Sequence, residues 1–155
     1  MSPEAWIALA TAAAALASLI TIYVLLKGVR DQLRMLSFLV YTDRYSKIMK
    51  SLPFEARQPE SGYRLDEQAP TERALFLSVM RDYFNLCSEE YWLMQAKKID
   101  RRTWDVWENG MREVVRFPGF AAAWAQLRNE YMFFEEFRGF MDSMAQALQT
   151  EVVTP

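Results

Sequence analysis

From Ala5 to Leu26 the chain reads AWIALATAAAALASLITIYVLL, without a charge, a glycine or a proline. As a helix rising ~1.5 Å per residue, a run of this length extends roughly 33 Å, enough to cross a ~30 Å hydrocarbon core. The rest of the chain has to be arranged around such a segment. Its start carries helix-initiating residues: Ser2 can cap, Pro3 suits the first helical position, and Glu4 suits the positive end of the helix dipole. Trp6 and Tyr23 stand where amphipathic rings mark the two membrane interfaces. Lys27, Arg30 and Arg34 follow the run, and no Lys or Arg precedes it. The positive-inside rule then places the N-terminus outside and the remainder in the cytoplasm. The expected location is the bacterial inner membrane, with a single pass.

Two other readings compete with a permanent anchor. A cleaved signal peptide has a positively charged leader and an apolar core of ~7–15 residues, whereas here the leader carries Glu4 and the core is longer. A buried core helix of a soluble domain rarely shows so long an uninterrupted apolar run. Within the run, Ala10, Ala14 and Ser18 lie at i, i+4 and i+8. This small-residue stripe would let a second helix approach closely, and it is the first candidate partner-binding site.

The charge is divided along the chain. Between Lys27 and Lys50 there are six basic residues against two acidic ones; from Ser51 onward there are 12 basic and 17 acidic residues. A basic segment next to the membrane suits an anionic leaflet, and the acidic distal part argues against nucleic-acid binding. One cysteine, Cys87, excludes an intramolecular disulfide and fits a reducing compartment. The absence of histidine removes the commonest general base and metal ligand.

The helical pattern resumes after Gly28, with Val29, Leu33, Leu36, Val40 and Ile48 on one stripe. Residues 1–27 read as the anchor and 28–52 as a juxtamembrane helix continuing it. The alternative is a bend at Gly28 that lays Leu33 to Tyr45 on the lipid surface. Residues 53–70, with Pro53, Pro59, Gly62 and Pro70, read as a loop. A helical domain is expected over 71–149 and a frayed tail over 150–155.

The central helix is expected from Thr71 to Lys97. One apolar line is Leu75, Val79, Tyr83, Leu86 and Leu93; the other is Phe76, Met80, Phe84, Cys87, Tyr91 and Met94. Asp100 should cap a helix to about Arg116, with Trp104, Trp107, Met111 and Val114 inward. After Phe117-Pro118-Gly119 a helix runs from Phe120 to about Arg128. A break at 129–131 leads to the last helix, Phe133 to about Gln149, packing through Phe133, Phe137, Phe140, Met141, Met144 and Leu148. The expected fold is all-α: one transmembrane helix and a cytoplasmic antiparallel bundle of about four helices.

No pattern points to catalysis. Glu90 extends the line Leu86–Leu93, where a buried carboxylate would gain proton affinity; the plainer readings are a salt bridge to an Arg or exposure at the edge of the arc. A di-iron bundle needs Glu-x-x-His, which a chain without histidine lacks. Cys87 on an apolar face reads as a small core residue. Ser and Thr lack a His partner, and there is no Gly-rich phosphate loop. No cofactor and no metal is expected. The aromatic half, with Trp104, Trp107, Trp124 and Phe137, is either the domain core or a second partner-binding surface.

The order Glu89-Glu90-Tyr91-Trp92-Leu93, Lys98-Ile99-Asp100, Trp104, Trp107-Glu108, Pro118-Gly119-Phe120 and Trp124 resembles a set of small bacterial proteins of unknown function, built from one N-terminal span and a compact cytoplasmic helical domain. The resemblance covers Leu39 to about Met141. It implies no activity and assigns no site residue. The chain departs from it at Lys97-Lys98, where a glycine would be expected to end the central helix. The sequence thus leads to a non-enzymatic, membrane-anchored accessory or scaffold protein. Its expected partners are the bilayer and another membrane protein or itself. The alternative is a membrane-acting effector or sensor that oligomerises through its span.

Overall fold

The structure is a computed structural model that describes residues 2–58 and 60–151; side chains are described except those of Pro118 and residues 147–151. Pro59 and the last four residues of the expected tail lie outside the described residues. The described chain is helical with no strand, and five α-helices account for most of it. They are α1 (Pro3–Ser51), α2 (Pro70–Gln95), α3 (Arg101–Val115), α4 (Pro118–Leu127) and α5 (Glu135–Glu151). Two compact units divide the chain, Met1–Val40 and Tyr41–Pro155.

In the first unit α1 begins where capping chemistry allows. The Ser2 carbonyl and Oγ both accept from the Ala5 N–H, at 3.0 and 3.3 Å, filling the role of an N-cap. The helix then passes Gly28 without interruption. A bend there, one of the two readings of the sequence, is not what the backbone adopts: a lone glycine costs a helix only about 1 kcal/mol. By length and composition α1 can cross a membrane, with a mean hydropathy of 2.2 over its most apolar window and none of that window buried.

The second unit has its own core, built from α2, α3, α4 and α5. Phe76, Met80, Phe84 and Cys87 of α2 are buried, and Leu86 and Tyr83 with them. Leu75 is 65% exposed, so the first of the two expected apolar lines starts outside the core. Rings hold the centre: Trp124 of α4 lies 5.0 Å from Phe84 and 5.9 Å from Phe137 of α5, and Tyr91 lies 4.9 Å from Phe140. Edge-to-face aromatic pairs of this kind add about 0.5–1.5 kcal/mol beyond their burial.

Each helix boundary has a local cause. Asp100 caps α3, its Oδ1 accepting from the Thr103 N–H at 2.9 Å. Pro70 and Pro118 open α2 and α4 at first-turn positions, where the missing N–H costs nothing. α2 stops at Gln95 because Lys97 takes φ +54°. Lys98 N–H then donates to Leu93 C=O at 2.9 Å and Lys97 N–H to Met94 C=O at 3.0 Å, the paired bonds of a Schellman end. Lys97 therefore occupies the left-handed position that glycine takes most easily.

Residues 53–70 join α1 to α2 as a loop with short 3₁₀ turns at Glu55–Arg57 and Leu65–Glu67, and Ala56 and Leu65 are buried. Burial of these apolar residues holds down a segment that proline and charge alone would leave loose. The last helix does not start at Phe133. It starts at Glu135 after a 3₁₀ turn, Arg128–Tyr131, and Phe133 is left 85% exposed. At its other end α5 reaches Glu151, past the expected stop at Gln149.

Candidate functional site

The small-residue stripe lies in the first unit. Ala10, Ala14 and Ser18 are exposed. The Ser18 hydroxyl donates to Ala14 C=O at 2.9 Å, and Thr11 and Thr21 donate in the same way to Ile7 and Ala17. The serine and threonine hydroxyls of the apolar run thus donate inside their own helix, as residence in hydrocarbon requires.

The aromatic candidates lie in the second unit. Trp104, Trp107, Trp124 and Phe137 are all buried. Trp124 Nε1 donates to Asp142 Oδ1 at 2.9 Å, and the same carboxylate takes the guanidinium of Arg128. Arg128 and Trp124 together hold the Asp142 carboxyl below the usual carboxylate range. These residues lie in the core of the second unit.

A polar cluster forms where residues 41–51 of α1 meet α2 and α3 inside the second unit. Arg44 reaches Glu89 with both terminal nitrogens, Nη2 to Oε1 at 3.0 Å, and Tyr41 Oη donates to Glu89 Oε2 at 3.2 Å. The Tyr41 ring lies 5.1 Å from Trp107, and Tyr45 lies 6.4 Å from Tyr83. The Arg44 hydrogen bond keeps the Glu89 carboxyl ionised below its usual range, while burial raises the Tyr41 hydroxyl.

Glu90, beside this pair, is only 6% exposed. Burial pushes its carboxyl up to about 8; Arg44 opposes that shift and Glu89 reinforces it. The sequence offers Glu90 burial on the apolar line of α2, a salt bridge to an Arg, or an exposed edge. The first of these holds: Glu90 is buried, and Glu89 takes the arginine. On the same face of α2, burial raises Tyr83 and Cys87 well above their ordinary values. The Tyr83 hydroxyl interacts with the Cys87 sulfur without reaching hydrogen-bond geometry, and no other partner satisfies it.

A depression of about 400 Å³ lies alongside, lined by Tyr41, Glu89, Trp92 and Phe134, but Glu90 does not line it. A second depression of about 660 Å³, between residues 51–68 and α2, has mixed charge from Glu55, Arg64, Glu67 and Glu72. Among the described residues no group of three or more Cys, Asp or Glu side chains converges as a metal site would require. The Arg44–Glu89 pair was not foreseen from sequence. The two residues are 45 positions apart, and nothing local marks them as partners. Comparison with known protein families, curated proteins and solved structures gave no match.

Proposed function

We propose that this chain is a single-pass, membrane-anchored accessory or scaffold protein without catalytic activity, whose cytoplasmic part is a helical bundle. One observation carries the reading. The most apolar window of α1 is entirely uncovered, whereas a core helix of equal length in a soluble protein would bury most of its side chains. Exposing such a surface to water is unfavourable by ~25 cal/mol per Å² of apolar area, and a bilayer removes that cost. The hydroxyls closed within the helix support the same reading. Thr11, Ser18 and Thr21 are too few to make the polar lining that the effector alternative would use. The basic flank at Lys27, Arg30 and Arg34 supports an N-out, C-in orientation.

The test is fractionation of the full chain followed by intact-mass measurement. Retention in alkali-washed bacterial membranes with residues 5–26 still present is the expected result. A soluble product, or one that has lost its first residues to signal cleavage, would overturn the anchor. A C-terminal reporter active only outside the cytoplasm should be silent; activity would invert the topology.

A further inference from the structure

Glu90 is buried, and its carboxyl has no hydrogen-bond or ion-pair partner among the described residues. Glu89, one position earlier, takes both Arg44 and Tyr41. A buried carboxyl without a partner is tolerated only while it is neutral. The groups that interact electrostatically with it come from two elements. Tyr41, Arg44 and Tyr45 reach it from α1; Tyr83, Cys87 and Glu89 reach it along α2. Among the described residues, α3, α4 and α5 bring no charged or titratable group to it. The one cation, Arg44, is already committed to Glu89 with both terminal nitrogens.

Of the two elements, the end of α1 is the more weakly held. No residue of α1 is buried. Tyr45 is exposed, and Arg44 and Glu89 form a surface ion pair of the kind that adds little to stability. On the α2 side, Tyr83 and Cys87 are fixed in the core. An ionised Glu90 needs water around it. Lifting residues 41–51 admits that water at a small loss of packing, whereas moving α2 would dismantle the core. Leu52, just past the helix, is buried and tethers the lifted segment.

We propose that Glu90 is a proton switch for the docking of residues 41–51: the neutral carboxyl keeps this end of α1 seated on α2, and the charged carboxylate lifts it off. Residues 41–51 are the last turns of the helix that carries the apolar run, so the switch makes the bundle's hold on that helix depend on pH. The seated form binds the proton more tightly than the lifted form. Lifting therefore grows as pH rises, by about tenfold per unit between the ordinary carboxyl value and about 8, and levels off above. The inference goes beyond the anchor reading and does not need it, since every group named lies in the second unit.

The experiment uses Cys87, the chain's one thiol, as reporter. It lies one turn before Glu90 on the same face of α2 and is buried. Its alkylation by iodoacetamide is followed in the full-length chain in detergent from about pH 6 to about pH 8.5. Wild type is compared with Glu90→Gln and, as a second neutral variant, Glu90→Leu. Each rate is divided by that of the same chain unfolded in denaturant at the same pH, which removes the ordinary rise in thiolate. The relative rate of wild type should rise at least tenfold across the range and stay flat in both variants. The charge on Glu90 itself holds back the Cys87 thiolate, so electrostatics alone would give the opposite trend. A flat wild type, or the same rise in the neutral variants, would overturn the switch. A control thiol introduced by Met141→Cys, in the core on α5, separates lifting from global unfolding when the two sites are resolved by peptide mass. It should stay protected while Cys87 reacts; a parallel rise at both sites would mean that the whole unit opens, and would overturn the switch as well.

Discussion

Glu90 shows how one residue takes its properties from what surrounds it. Its free carboxyl would titrate near 4.3, but burial raises it to about 8 in the folded chain. Between those values the folded state holds a proton that the unfolded state has lost. The stability this proton confers is complete below about 4.3, falls as pH rises, and is gone above about 8. The shift is worth several kcal/mol, on the order of 1.4 kcal/mol per pH unit. Glu90→Gln, which stays neutral, should lose much less thermal stability than wild type between pH 5.5 and 8.5. Parallel pH profiles for the two proteins in detergent would show that Glu90 ionises freely in the fold. The sequence placed Glu90 on the apolar line of α2 but could not say which of two adjacent glutamates would meet an arginine. Arg44 arrives from another helix, and only the packing of residues 41–51 on α2 selects Glu89.

At the scale of the element, helix starts were legible because capping is local chemistry. Ser2, Asp100, Pro70 and Pro118 sit within the turn they initiate, and each acts where its residue type suggests. Helix ends were less legible. Lys97 adopts φ +54°, a conformation that costs a residue with a Cβ roughly 1–2 kcal/mol and glycine almost nothing. Lys97→Gly should therefore stabilise the chain by about 1 kcal/mol, with the Schellman bonds to Leu93 and Met94 retained. Chemical denaturation measures this directly, and a destabilised variant would mean that the Lys97 side chain contributes more than its backbone strain costs. The start of α5 was misplaced for a related reason. Phe133 and Phe134 continue the apolar spacing of Phe137 and Phe140, but the 3₁₀ turn at Arg128–Tyr131 puts Phe133 into solvent. That turn is held by contacts with α2: Tyr131 Oη donates to Asn85 Oδ1 at 2.9 Å, and Glu130 pairs with Arg81.

For the whole molecule, the division into an exposed apolar helix and a self-contained helical unit makes a quantitative contrast available. Phe137→Ala removes a fully buried ring that touches Trp124, Tyr131 and Tyr91 and should cost about 3–5 kcal/mol. Phe133→Ala, four residues away and 85% exposed, should change stability by less than about 0.5 kcal/mol. Calorimetry of both variants checks the pair, and equal losses would mean that Phe133 is covered in the native state. The sequence by itself determined that the chain is helical, that its N-terminal run is apolar enough to cross a membrane, and where most helices begin. These properties follow from composition, spacing and capping within a few residues. Only the tertiary structure decided that Trp104, Trp107, Trp124 and Phe137 form a core rather than a docking surface, that Glu90 is buried beside an Arg44–Glu89 pair, and that residues 53–70 are packed down by Ala56 and Leu65. Burial depends on which helices meet, and that is set by contacts between residues far apart in the chain.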